Sequence, residues 1–222
     1  MKKMRSLIVL ILFIIPNTSC VKEICRSVQG TFEFEVPVIL SPAKETYRVG
    51  DTITIQSTFS DLVYERKTNT RYKLENFKFF PGTEIVKIDL PEGERFLADY
   101  FEIITDSLSS YGITFFSGGE SGILGEYFYQ QNTYHLGFKL VAKMPGLYYM
   151  EQGIDPMIGG NQNFEGKCSN VDNDGVVSLN EGAQNNIEML LSSPDPHFNT
   201  WILEDPESRF HRFGGYCFRV VP

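Results

Sequence analysis

Positive charge is scarce in this chain: 20 lysines and arginines stand against 28 aspartates and glutamates, a net charge of −8. Three of the basic residues, Lys2, Lys3 and Arg5, fall in the first six positions, so the remainder carries 17 basic and 28 acidic side chains, a net charge of −11. Such a surface repels polyanions, which excludes nucleic acid as a partner and excludes charge-driven docking to an anionic membrane. Long apolar runs are missing too. Residues 7–15 form an unbroken stretch of nine, about half of the roughly 20 that a membrane-spanning helix needs. Histidine is limited to three positions and cysteine to four. Cys168, His197, His211 and Cys217 have the ligand types of a zinc site but not the close spacing that makes one specific. No histidine has a readable Ser or Cys partner for nucleophilic catalysis. Residues 117–125, Ser-Gly-Gly-Glu-Ser-Gly-Ile-Leu-Gly, lack the Lys and Ser/Thr of a phosphate-binding loop and the glycine spacing of a nucleophile elbow, and are predicted to be a flexible loop. Paired carboxylates for a hydrolase stay open, because 28 acids in a β fold always offer some pair at the required separation of roughly 5 to 10 Å.

What is present begins with an export address. Lys2, Lys3 and Arg5, then the short apolar run, then small polar residues, make residues 1–19 a removable signal peptide. Thr18-Ser19-Cys20 resembles a bacterial lipobox, whose cysteine becomes the lipid-bearing N-terminus, although Asn17 stands where an aliphatic residue is usual. Residues 20–29 are polar and aperiodic and form a tether. Within it, Val21-Lys22-Glu23-Ile24 resembles the export signal of surface lipoproteins of Bacteroidota, with one acid where two are usual. The resemblance implies an outer-membrane lipoprotein, held by its N-terminal lipid on the periplasmic or cell-surface face.

The mature chain has the composition of a folded domain, 42% hydrophobic and 22% charged, and 14% is aromatic, as expected where large side chains fill the space between sheets. Period-two alternation marks strands at residues 31–40, 52–59, 84–90, 134–144 and 147–152, with a last strand at 215–221. Pro37, lacking a donor, makes the first of these an edge strand. The basic residues of 64–78 sit in a solvated loop or hairpin. The Tyr47-Arg48-Val49-Gly50-Asp51 approach to the second strand resembles the A and B strands of immunoglobulin-like sandwiches. Pro145-Gly146-Leu147-Tyr148-Tyr149 resembles their E to F corner, where a Tyr hydroxyl bonds back to nearby backbone. Residues 30–222 are therefore predicted to be one mainly β domain, an immunoglobulin-like antiparallel β-sandwich with a long insertion, 153–214, before the last strand. One short helix is predicted in that insertion, because Ala183, Ile187, Leu190 and Leu191 share a face at helical spacing.

The insertion holds the most specific local motif. Asn170, Asp172, Asp174, the carbonyl of Val176 and Glu181 fall at calcium-loop positions, with Gly175 at the sharp turn. Two readings fit: a calcium site, or an Asp-Asn-Asp-Gly turn followed by a Ser178 to Glu181 capping box. In an oxidising envelope Cys168 and Cys217 are expected to form a disulfide stapling the insertion onto the outside of the sheet, leaving Cys25 in the tether. The functional expectation is a lipid-anchored binding or structural module of the cell envelope, its partner an envelope protein or a glycan. The alternatives are a carbohydrate-binding accessory of a glycan-uptake system using tyrosines around Tyr127, Tyr129, Tyr148 or Tyr149, and a carboxylate hydrolase.

Overall fold

The computed structural model describes residues 32–107, 110–155 and 173–222. In chain order the elements are β1 (Phe32–Ser41), β2 (Thr46–Arg48), β3 (Thr52–Ser60), β4 (Leu62–Glu65), β5 (Thr70–Lys73), β6 (Phe80–Lys87), a single helical turn α1 (Leu97–Tyr100), β7 (Phe101–Thr105), β8 (Ser110–Phe115), β9 (Ser121–Glu126), β10 (Phe128–Gln130), β11 (Thr133–Ala142), β12 (Gly146–Asp155), β13 (Asn173–Leu179) and β14 (Tyr216–Val221). The first sheet runs β10-β11-β3-β1-β4-β5, with β13 added beside β1 and β7 beside β11. The second runs β2-β14-β12-β6-β9-β8. Pairings are antiparallel except β1 with β13 and β2 with β14, which are parallel, so both sheets are mixed rather than purely antiparallel.

The strands form because their alternate residues are apolar and find each other across the sandwich. Val36, Ile53, Phe138 and Leu140 of the first sheet share one core with Ile85, Ile123, Tyr148, Met150 and Phe218 of the second. Aromatic rings bridge the layers in edge-on or tilted contacts: Tyr111 and Phe138 at 5.2 Å, Phe101 and Tyr148 at 5.1 Å, Phe101 and Phe218 at 6.0 Å. The aromatic enrichment is thus core filling. Tyr148 also closes the Pro145-Gly146 corner, its hydroxyl donating to the carbonyl of Met144 at 2.8 Å.

Three expectations change. β1 is an interior strand, flanked by β13 on one side and by β4 and then β3 on the other. Pro37 is tolerated because it falls in the gap, after β4 pairs at Phe34 and Glu35 and before β3 pairs at Ile39, so no ladder bond is lost. Residues 121–125 of the predicted flexible loop belong to strand β9. Their glycines hide the strand from a pattern search yet allow close pairing, since a Cβ on Gly125 would lie 1.9 Å from the Ser110 carbonyl oxygen. The predicted helix is a short 3-10 turn, Ile187–Ser192, with Leu191 exposed. Asn185 and Asn186 adopt left-handed backbone and stop a helix from starting at Ala183, while their side chains bond the carbonyls of Leu179 and Cys217. Two unpredicted π-helical turns follow, His197–Ile202 and Glu207–His211. The basic stretch 64–78 is the β4–β5 hairpin region, and Arg66 and Lys67 pair with Glu35 and Glu33 of β1.

Candidate ligand-binding groove

The outer face of the second sheet divides in two. Over β14 and the near ends of β12 and β6, the turns of residues 187–211 lay Leu190, Phe198, Ile202 and Phe210 against Val86, Ile88, Leu147, Tyr149 and Cys217. Where that cover stops, at Phe213, the outer face of β12, β6, β9 and β8 is left open by the described residues as a groove of about 1060 Å³. Its floor follows from strand register. Gly153, Gly82, Leu124 and Gly112 lie opposite one another across the four strands, and nothing stands within 4 Å of where a Cβ would sit on Gly153 or Gly112. Three glycines in one row make a trough perpendicular to the strands, about 14 Å long at the usual strand spacing. Glu151 and Glu84 are paired in the next row on one side, with Thr114 beyond. Phe80, Ser110 and Glu126 flank the other, and Phe213 closes the end.

The two paired acids are not equivalent. Arg95 Nε lies 3.1 Å from Glu84 Oε2. Glu151 accepts a hydrogen bond from the Tyr149 hydroxyl at 3.1 Å, but burial, reinforced by the charge of Glu84, holds its carboxyl above the usual range. Glu126 is ion-paired with Lys78. The groove therefore presents Glu84 and Glu151 along one wall and Glu126, held by Lys78, along the other, over a floor of glycines and Leu124. Nothing in the sequence marked Glu84 and Glu151 out from the other acids. The available signal was the alternation of β12 and β6, which puts both on one face, but their pairing is a matter of register.

The residues expected to bind lie elsewhere. Tyr127, Tyr148 and Tyr149 are buried and Tyr129 is half-buried against Tyr134, so none offers an exposed stacking face. The exposed rings are instead Phe115, Phe116, Phe213 and Trp201, the last stacked on His197 and covered by Arg209. Of the calcium-loop residues, Asn170 and Asp172 lie outside the described residues. Asp174 and Val176 are in strand β13, Asp174 ion-paired with Arg212 and Val176 registered against Glu35. Glu181 follows the strand in left-handed backbone at φ 58°. An extended strand rises about 3.3 Å per residue, so Asp174 and Glu181 stand some 16 Å or more apart, whereas calcium needs its oxygens within 2.3–2.6 Å of one point. The strand separates them. No side-chain cap from Ser178 is present either, because the chain is extended through Leu179. Among the described residues no three of His, Cys, Asp and Glu converge as metal ligands. Cys217 is a buried free thiol beneath the turns, on the outer face as expected, and burial pushes its pKa up. Cys20, Cys25 and Cys168 lie outside the described residues.

No family model and no curated protein matches the chain. Among solved structures it is similar to the human F-spondin reeler domain, at a TM-score of 0.32 and 11% identity over 66% of this chain and 85% of that one. It is similar also to a non-cellulosomal cohesin from Archaeoglobus fulgidus, at a TM-score of 0.29 and 9% identity over 87% and 93%. A third is the type II cohesin dyad from the adaptor ScaA scaffoldin of Acetivibrio cellulolyticus, at 0.30 and 9% over 64% and 46%. Likenesses this distant assign no role, and the mainly β, two-sheet architecture stands on the strand pairing itself.

Proposed function

We propose that the protein is an exported, lipid-anchored binding module of the cell envelope, and that its ligand is a glycan chain lying in the glycine-floored groove. The observation that carries the reading is the pairing of an open trough with two chemistries along it. Carboxylates at Glu84 and Glu151 accept hydrogen bonds from hydroxyls, and the apolar surfaces of Phe80, Leu124 and Phe213 face the C–H sides of sugar rings. Gly153 and Gly112 leave their share of the floor empty where any side chain would fill it. Acidic polysaccharides would meet like charge, so neutral ones are favoured. Affinity electrophoresis in gels containing neutral or acidic polysaccharides tests this. Retardation by a neutral polymer, lost in Gly153→Val with a melting temperature no lower than the wild type's, is the expected outcome; no retardation by any polymer, or equal retardation of the variant, refutes it. The lipid anchor is tested apart from the groove: Cys20→Ala should release the protein from the membrane fraction.

A second reading rests on the unequal environments of the two acids. A carboxyl whose ionisation is opposed by burial, beside one paired with arginine, has the inequality that glycoside hydrolysis needs between its acid and its base. Release of reducing ends from the retarding polymer, abolished by Glu151→Gln, would favour this reading over binding alone.

A further inference from the structure

Sheet edges invite pairing with other chains unless something blocks them, and the described edges of this molecule are blocked with one exception. β10 and β2 have three residues each. β5 carries Arg71 and Lys73, and β7 carries Glu102. β13 is covered on its far side, where Val177 bridges to Phe213 and its N–H bonds the Arg212 carbonyl at 3.1 Å. β8 differs. Its six residues, Ser-Tyr-Gly-Ile-Thr-Phe, include no charge and no proline, and among the described residues it pairs with β9 alone. Apolar side chains gather at this edge: Phe115 is 68% exposed, and Ile113 and Phe116 are exposed as well.

We propose that β8 pairs with β8 of a second copy of the chain, antiparallel about a two-fold axis normal to the sheet. A strand without charge gives an oppositely charged partner nothing to read, whereas pairing with itself is self-complementary by symmetry. Ile113, Phe115 and Phe116 offer roughly 300 Å² per copy at aromatic-sized areas, which with the strand backbone brings the pair to somewhat below the ~1,000 Å² at which specific interfaces begin. The dimer is therefore weak and concentration-dependent. Pairing with the same faces on the same side needs a residue on the axis. Ile113, the midpoint of residues 110–116, sets Gly112 of one copy opposite Thr114 of the second copy. The glycine row of each copy then continues into the Thr114, Gly122, Glu84 and Glu151 row of the second, so the two troughs lie next to each other with a step of two residues, about 7 Å. That the troughs adjoin has a use only if the groove is a ligand site; the strand pairing does not depend on it.

Sedimentation velocity on the mature chain, with Cys20→Ser to keep it unlipidated, tests the pairing over about 1 to 300 µM, a range suited to an interface this small. The mass should rise from one chain to two. Phe115→Lys places a charge in the seam on a side chain already exposed to solvent and outside the groove, and should stay monomeric throughout with an unchanged melting temperature. A wild-type chain that remains monomeric at the highest concentration overturns the proposal, and so does a dimer that survives Phe115→Lys. Dimerisation without retardation by any polysaccharide leaves the pairing standing and refutes the groove; retardation of a chain that never dimerises does the reverse.

Discussion

Glycines in the second sheet serve two ends, and alanine substitutions separate them. Gly125 is required by packing, because its Cβ would lie 1.9 Å from the Ser110 carbonyl oxygen and 2.6 Å from the Tyr111 Cα, both backbone atoms of the paired strand β8. Ordinary contact begins near 3.4 Å, so the β8–β9 pair must part by more than 1 Å. Overpacking of this kind costs about 2–4 kcal/mol, which for a chain of this size lowers the melting temperature by roughly 4–16 °C. Gly153 and Gly112 have open space above them and ordinary extended backbone. Alanine at either should instead stabilise by about 0.5–1 kcal/mol, since glycine's extra freedom in the unfolded chain is removed without strain, a rise of roughly 1–4 °C. Differential scanning calorimetry of the three single variants decides it. A Gly153→Ala or Gly112→Ala variant that melts well below the wild type would show that these glycines are kept for folding, and would remove the argument that the groove floor is left bare for a ligand.

Glu65 is fully buried and accepts hydrogen bonds from the backbone N–H groups of Glu33, Lys67 and Thr68 and from the Thr68 hydroxyl. Glu65→Ala leaves those donors stranded and should cost about 3–5 kcal/mol in urea unfolding. Burial opposes ionisation of Glu65, but these bonds outweigh it and hold the carboxyl below its ordinary 4.5. Its contribution is therefore present above that pH and lost as pH falls through the folded value, so the Glu65→Ala deficit should shrink in acid; a deficit that grows there would contradict the assignment. Glu151 behaves oppositely: burial and Glu84 raise its folded pKa above 4.5, so stability tied to its protonated form is present below 4.5 and lost as pH rises through the folded value. Glu151→Gln should match the wild type near pH 4 and exceed it in stability at neutral pH, as urea midpoints across that range will show; a pH-independent difference would count against the buried carboxyl. With β13 extended, calcium and chelator should give the same melting temperature, and a calcium-dependent rise abolished by Glu181→Ala would refute the strand assignment.

Much of the fold was legible along the chain. Alternation of Phe32, Phe34, Val36 and Val38, or of Leu136, Phe138, Leu140 and Ala142, is a local pattern with one physical outcome, a strand with a buried face, and the aromatic content pointed to a thick shared core. The corner at Pro145-Gly146 and the tyrosine that closes it were legible for the same reason, since both partners lie within four residues. β9 was not, because its glycines carry no hydrophobic signal and their need is set by a neighbouring strand. The motif from Asn170 to Glu181 misled in the other direction. Its spacing matches a calcium loop, but Asn173–Leu179 is drawn straight by seven residues of pairing with β1, a partner about 140 positions away.

The amino-acid order alone determined the acidic balance of the chain and a mainly β fold with a closing strand at Tyr216–Val221. Tertiary structure decided the groove. Glu84 and Glu151, and the glycines at 82, 112 and 153, come together only through the register of β12 on β6, β6 on β9 and β9 on β8. Which half of that face is covered among the described residues was settled by where the turns of residues 187–211 pack. Register and coverage are relations between segments distant in the chain, decided by how buried surfaces fit, and no local pattern of residues contains them.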